Sequence, residues 1–400
     1  MFGPGSLLTS SKVGASYQYD LIWLLAATAV LMATYTAMAA RIGVVADGTP
    51  CQIVARRVGR PFAALLGLTV CLICGAFQFS NNLAVAAAAE TLTGSARWGG
   101  AGVLVAINIA SIVFLFAFKE LYRWVERLMM LMVGLMFIAF ALNLLVVRPE
   151  IGRVVAGLLP SLPDRLHFDW PSKVNGSVAD PLVLLAGLIG TTFSVAAAFY
   201  QGTLVREKGW RMPEYRRGIV DAIAGIAVLA VISAMIMTTA GTVLTKEPMH
   251  LGELAGQLEP TFGPAAYVLF CVGMLAAALS SFLINAMIGG TLLADGVGLP
   301  AKMSDGGPRA FTVGVLLVGM GVGLWALKHG SPVELIIFAQ AITVLGNPLM
   351  AATILWLANR RDVMGDKRNT LWLNVLGVIG LAVVLMLAAR LAFTLYLKLS

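Results

Sequence analysis

Charge is scarce in this chain: Asp, Glu, Lys and Arg together make up 12% of its 400 residues, while 59% are hydrophobic. Soluble domains carry about 25% charged residues, so the shortfall leaves too few charges to coat a water-soluble globule. Cysteine and histidine are scarce too, at four and three. Cys51, Cys71, Cys74, Cys271, His167, His250 and His329 are scattered, and no pair has the spacing of a structural zinc site. Cys71 and Cys74 form a CxxC, but inside an apolar run, where the reading is small side chains packed in a helix. No Ser-His-Asp set, HExxH or pair of catalytic carboxylates is present, which counts against an enzyme, and nothing in the sequence calls for a cofactor. The opening MFGPGSLLTSSKVG lacks the basic start, apolar core and cleavage site of a signal peptide, so membrane entry is expected to rely on the spans themselves.

What the chain has instead is long apolar runs. A spanning helix needs about 20 mostly apolar residues, and ten stretches qualify: 20–40, 62–93, 98–118, 124–147, 181–203, 219–244, 263–294, 310–327, 333–357 and 371–396. Residues 3–17 read as the second half of one more, which makes an all-α polytopic membrane protein of about eleven helices, the first truncated. The runs at 62–93 and 263–294 are long enough to tilt or to project from the bilayer.

The net charge of +8 raises the question of nucleic acid, but the basic residues fall in short clusters between apolar runs, where membrane topology accounts for them. The loops after helices 2, 4, 6, 8 and 10 hold eighteen Lys and Arg, against seven after helices 3, 5, 7 and 9, among them Arg97, Arg165 and Lys246. The first set is therefore expected to be cytoplasmic, with the amino terminus inside and the carboxyl terminus outside. The connection 148–180 reads as an ordered external loop, and residues 1–400 as one membrane domain.

Helix-breaking sequence at mid-membrane depth is informative, because freed backbone groups there need protein or a water-filled cavity to satisfy them. Gly3-Pro4-Gly5-Ser6 precedes an apolar helix, and Gly187 and Gly190, followed by Thr191, Thr192 and Ser194, interrupt helix 6. Small residues of this kind serve either a broken helix or close helix packing. Gln78, Asn81 and Asn82 share one stretch of helix 3, Asn285 lies in helix 8, and Gln340 lies in helix 10 two turns before Gly346-Asn347-Pro348. Each polar residue either bonds a neighbouring helix or lines a cavity. No carboxylate lies near the middle of helices 1, 3, 6 or 10; Glu90, Glu126, Asp221 and Asp295 are expected to reach an interface.

These residues resemble the NRAMP family of proton-coupled divalent metal transporters, which has the LeuT-type fold. GPGSLLTSSKVGASYQYDLIWLL, followed by MAARIGV, is similar to that family's helix 1 and 2 region, where an Asp-Pro-Gly-Asn motif opens the segment. IGTTFSVAAAFYQGTLVREKGW resembles its helix 6, LAAALSSFLINAMIGG its helix 8, and IIFAQAITVLGNPLMAATIL its helix 10. The resemblance covers essentially the whole chain. It implies a 5+5 inverted repeat, with a first repeat at about 1–147, a second at about 181–358 and an extra helix at about 371–396. It also implies a further half-helix ahead of Gly3.

The departures fall on the residues that define metal transport. Gly3 and Ser6 stand where the family has Asp and Asn ligands, and Ser194 stands where it has a Met thioether, with Val195 and Ala196 following in place of Pro-His. Gln78 and Asn81 occupy the positions of a proton-path Asp and Glu, with Asn82 beside them. Gln340 is retained, and Thr191 is placed to offer a backbone carbonyl. The implied cargo site is thus Gly3, Gly5, Ser6, Thr191, Ser194 and Gln340, with Gly3, Ser6, Thr191 and Gln340 as the residues nearest a metal. A bare divalent ion needs charge or several hard oxygens, so a Mg²⁺-like ion kept largely hydrated, or weakly selected Mn²⁺, is the expected cargo of a secondary transporter. The alternatives are a small organic solute carried on the same scaffold and a membrane receptor that does not transport.

Overall fold

The computed structural model describes residues 3–93, 98–117, 119–164, 166–174, 177–244, 251–328 and 331–400. Arg97, Arg165, Lys246, His250 and His329 lie outside the described residues, as does the side chain of Glu126. The described chain is almost entirely helical.

The first part runs α1 (Pro4–Tyr17), α2 (Ile22–Val45), the short α3 (Pro50–Arg57), α4 (Arg60–Thr93), α5 (Trp98–Ala117) and α6 (Lys119–Val147). The connection that follows carries α7 (Ile151–Ala156) and an antiparallel hairpin of β1 (Ser172–Val174) and β2 (Ser177–Ala179), in register Ser172 to Ala179. Next come α8 (Val183–Thr192), α9 (Val195–Glu207) and α10 (Met212–Val243). The short α11 (Leu251–Ala255) and α12 (Glu259–Phe262) lead into α13 (Ala265–Val297), α14 (Gly306–Ala326), α15 (Pro332–Ile342) and α16 (Asn347–Asn359). The chain closes with α17 (Arg361–Met364) and α18 (Leu371–Leu399).

Counting α8–α9 and α15–α16 as single interrupted rods, eight described helices are long and apolar enough to cross a bilayer. Gly100–Val113 and Val133–Val147 add two shorter apolar stretches within α5 and α6. With the half-length α1 this reproduces the expected set of ten spans and a stub. Leu72, Leu145 and Val220 are well exposed, as lipid-facing apolar side chains are.

Burial sorts the helices. In the apolar window of α8–α9, 61% of residues are buried, and in those of α13 and α15–α16, 56%, against 17% for α10 and 22% for α18. The two interrupted rods and α13 therefore lie innermost. Lipid offers no hydrophobic drive between helices, so close packing must hold them, and glycine provides it. A Cβ on Gly67 of α4 would sit 2.5 Å from the Leu292 carbonyl oxygen of α13, and one on Gly289 of α13 would sit 2.9 Å from Cys74 Cβ. Cys71 and Cys74 are both free thiols, and Cys74 is buried in this seam.

Asp295 departs from its expected place at an interface: it is 1% exposed. The short α3 folds over the last turn of α13 and brings Thr49 and Cys51 against the carboxylate. Helix α3 is fixed by a capping box, in which Gln52 N–H donates to Thr49 Oγ1 and Thr49 N–H donates to Gln52 Oε1, both at 3.1 Å.

Candidate functional site

Helix α8 stops at Thr192 because the next two residues leave helical space, Phe193 at φ −101°, ψ 67° and Ser194 at φ −80°, ψ 89°. The last carbonyls of α8 then have no helical N–H to follow them. Four contacts surround the break. Asn347, at the start of α16, donates to the Phe193 carbonyl at 3.4 Å. The Phe193 ring packs on Tyr35 at 5.3 Å between centroids. The hydroxyls of Thr191 and Thr192 turn back to the Leu188 carbonyl at 2.9 and 3.0 Å.

Opposite this break, α1 begins. Gly3 is extended at φ −114°, ψ 163°, and Pro4 opens the helix, where its missing N–H costs nothing. A cavity of about 150 Å³ lies between the two. Gly3, Gly5 and Ser6 from α1, Thr191 and Ser194 from the break, and Gln340 from α15 all line it, so every residue of the implied cargo site meets in one place. Asn81 of α4 lines it as well.

Gln78 and Asn82 do not line this cavity. Gln78 donates to the Phe282 carbonyl of α13 at 2.7 Å and accepts from Asn81 Nδ2 at 3.0 Å. Asn82 donates to the Gln78 carbonyl at 2.8 Å and accepts from Asn108 of α5. Helix α14 is pressed onto this amide stripe: a Cβ on Gly319 would sit 2.4 Å from Gln78 Cβ, and one on Gly323 2.9 Å from Asn82 Cβ.

The cavity wall also holds residues outside the implied set. Ser281 and Asn285 of α13 line it one helical turn apart, with Ser233 of α10, Thr192, Met32 and Phe77, and Ala197, Ile226, Leu229 and Ala230 add an apolar side. Ser281 and Asn285 stand in the helix 8 segment at i,i+4 spacing, a polar stripe in an otherwise apolar run and the one signal that marks them in the sequence. None of the described lining residues is a carboxylate, a histidine or a cysteine, and among the described residues no group of three such side chains converges as a metal cluster would.

The polar chemistry of the wall is therefore that of neutral oxygen, with the Met32 thioether as its one sulfur among the described residues. Hydroxyls and side-chain amides supply acceptors, and the end of α8 adds peptide carbonyls. Gln340 is the most constrained of these groups. Its Nε2 donates to Ser80 Oγ at 2.6 Å, while its Oε1 is buried without a partner among the described residues.

A family model for natural resistance-associated macrophage protein-like chains matches residues 1–394. A curated "Divalent metal cation transporter MntH" of Deinococcus radiodurans is 26% identical over 376 residues, covering 90% of this chain and 80% of that protein. Among solved structures, an Eremococcus coleocola manganese transporter in complex with an aromatic bis-isothiourea substituted compound superimposes with a TM-score of 0.77 at 18% identity, over 98% of this chain and 83% of that one. MhsT in complex with L-phenylalanine matches at a TM-score of 0.53 and 16% identity, over 96% of this chain and 98% of that one. The fold is the LeuT-type inverted repeat, and from the extended Gly3 to the last turns of α18 the chain belongs to the Nramp family.

Proposed function

We propose that this chain is a secondary transporter that moves a divalent cation across the plasma membrane by alternating access, with much of the ion's water retained. The observation that carries the reading is the meeting of Gly3, Gly5, Ser6, Thr191, Ser194 and Gln340 around one cavity whose described wall bears no charge. The relatives named above are divalent metal cation and manganese transporters, which supports the class of cargo.

The neutral wall supports the hydrated form. Stripping a divalent ion requires carboxylates or many hard oxygens, and Mg²⁺ in particular gives up water reluctantly. Water bound to a cation points its hydrogens outward, and these need acceptors. Ser6, Ser194, Ser281 and Asn285 offer them, with Gly3, Ser6, Thr191 and Gln340 standing nearest the ion.

Gln78, Asn81 and Asn82 form an amide stripe that does not titrate. The stripe gives a proton no carrier, which supports a uniport or a channel-like leak over a symport with protons. The excess of Lys and Arg after helices 2, 4, 6, 8 and 10 supports a cytoplasmic amino terminus and an external carboxyl terminus. The chain is read as one membrane domain, with repeats at about 1–147 and 181–358, an external loop at 148–180 and an extra helix at 371–396.

Isothermal titration of the purified chain with Mg²⁺ and Mn²⁺, beside Ser6→Ala and Ser194→Ala variants, tests the reading. Saturable heat that both substitutions weaken is expected. Absence of heat with either ion overturns it and points to a small organic solute instead.

A further inference from the structure

Ser80 stands next to Asn81 on α4 and is fully buried. It is the hydrogen-bond partner of Gln340 Nε2, at 2.6 Å. The other end of the same amide, Oε1, is closed off from solvent and has no donor among the described residues. A buried acceptor left bare is unfavourable, and Gln340 is a lining residue of the cavity, so this oxygen gains when an arriving group shifts the wall enough to reach it.

The amide is planar, and fixing its nitrogen fixes the direction of its oxygen. Two neighbours confine it. Ser80 takes the nitrogen, and α1 blocks the swing away from it, since a Cβ on Gly5 would lie 2.3 Å from both Cδ and Nε2 of Gln340. One freedom remains, a half-turn that exchanges nitrogen and oxygen. A hydroxyl both donates and accepts, so Ser80 can serve either arrangement, by accepting from Nε2 or by donating to Oε1.

We propose that Ser80 is a positioning residue that sets the polarity of the Gln340 amide: by accepting from Nε2 it leaves Oε1 as the free end of the amide, the end that an entering cargo can engage. The half-turned amide presents N–H donors, which oppose both a cation and the outward hydrogens of its water. A cation in the cavity selects the first arrangement, and Ser80 makes that arrangement available without leaving Nε2 buried and unpaired. This role rests on the cation reading above and gives it a specific support for one ligand. Ser80 does not itself line the cavity; it acts through Gln340.

The test is Mg²⁺ and Mn²⁺ uptake into liposomes by the full chain and by Ser80→Ala, Ser80→Thr, Ser80→Cys, Gln340→Ala and the Ser80→Ala/Gln340→Ala pair. Ser80→Ala is expected to raise KM about tenfold with the maximal rate changed by less than about twofold, as loss of one well-made hydrogen bond to a ligand does. Ser80→Thr, which keeps the hydroxyl, restores KM. Ser80→Cys fills the same space with a weak acceptor and raises KM even where the alanine variant folds poorly. In the Gln340→Ala background the Ser80→Ala change adds nothing, because two residues acting through one contact are not additive. A KM for Ser80→Ala and Ser80→Cys equal to the unaltered chain overturns the proposal, as does an equal increment in both backgrounds. Absence of saturable uptake by the unaltered chain overturns the cation reading itself, a failure distinct from either of these.

Discussion

Arg390 of α18 and Asp180, at the entry to α8, form an ion pair at 2.8 Å with side chains only 7% and 4% exposed. The pair is fully supported. Thr394 Oγ1 donates to Asp180 Oδ2 at 3.0 Å, Leu182 N–H donates to Oδ1 at 3.0 Å, and Arg390 also reaches the carbonyls of Phe168 and Asp169. It ties the last helix to the connection that leads into the innermost broken rod.

Breaking such a pair leaves one charge buried and uncompensated, at a cost of about 3–5 kcal/mol, whereas replacing both partners by apolar groups is often near neutral. Arg390→Ala and Asp180→Ala are each expected to lower the thermal midpoint in detergent sharply. Arg390→Met combined with Asp180→Leu should recover most of the loss. Single variants that melt with the unaltered chain would show that the clasp carries no stability.

The crossing of α2 and α9 depends on two glycines. A Cβ on Gly43 would lie 2.0 Å from the Gly202 carbonyl oxygen, and one on Gly202 would lie 2.8 Å from the Ala39 carbonyl oxygen. Backbone atoms cannot yield as a side-chain tip can, and overpacking costs about 1–3 kcal/mol even where the neighbours are flexible. Gly43→Val is expected to reduce the yield of monodisperse protein and its thermal midpoint. Gly314→Ala is the control: no atom of the described residues lies within 4 Å of its Cβ position, and alanine favours the helix by about 1 kcal/mol. Equal midpoints for the two variants would contradict the close crossing.

The same contact geometry explains what could be read in the sequence and what could not. Apolar length gave the number of spans, because that quantity needs only composition. The interruption of helix 6 was visible as Gly187 to Ser194, with two readings for its glycines, and the structure gives them the packing role. Gly187 and Gly190 pack against α15, where their Cβ positions fall 3.3 Å from the Ile337 carbonyl oxygen and 2.7 Å from that of Gln340. The break itself comes after them, at Phe193 and Ser194. The stripe of Gln78, Asn81 and Asn82 was legible as one face, since i,i+3 and i,i+4 neighbours share a side. Which neighbour each amide meets depends on the rotation of α4 against α5, α13 and α14, and periodicity carries no information on that. Asn285 was visible as a polar residue at depth, yet its place beside Ser281 in the cavity wall depends on how α13 is turned. Asp295 was misplaced for the same reason: only the path of α3 reveals that it is covered.

The amide stripe leads to a prediction on coupling. Side-chain amides hold no exchangeable charge in the physiological range, so Gln78, Asn81, Asn82 and Asn108 offer no proton a place to reside. Divalent cation uptake into liposomes is expected to follow the membrane potential, with a rate that is flat between about pH 5.5 and 7.5, a range over which carboxylate and histidine sites respond to pH. A pH-sensitive dye inside the liposomes should report no acidification during uptake. Acidification in proportion to cation entry would place a titratable carrier elsewhere in the chain and end the uniport reading.

If the missing charge at position 3 and the missing thioether at position 194 make the site a weak, water-tolerant one, returning them should narrow it, even with Met32 already in the wall. Gly3 is the natural position for a carboxylate. Its backbone is extended, its nearest neighbour on the Cβ side is the Ser281 hydroxyl at 3.2 Å, and it precedes α1 where Asp is a favoured cap. Gly3→Asp therefore fits with a small shift of one hydroxyl and brings a negative charge into the cavity. Ser194→Met adds a polarisable sulfur on the opposite wall, a ligand that prefers softer metals to Mg²⁺. The carboxylate alone should strengthen both Mg²⁺ and Mn²⁺ binding by about tenfold or more, consistent with a charge-assisted contact of about 1.5–3 kcal/mol. The thioether alone should shift the Mn²⁺ to Mg²⁺ ratio in competition uptake with little gain in affinity. Combined, they should give a site that takes Mn²⁺ and Cd²⁺ in preference to Mg²⁺. A ratio unchanged in the double variant would mean that neither side chain reaches the ion, and that the cargo passes between α1 and the α8–α9 break without resting on Gly3 or Ser194.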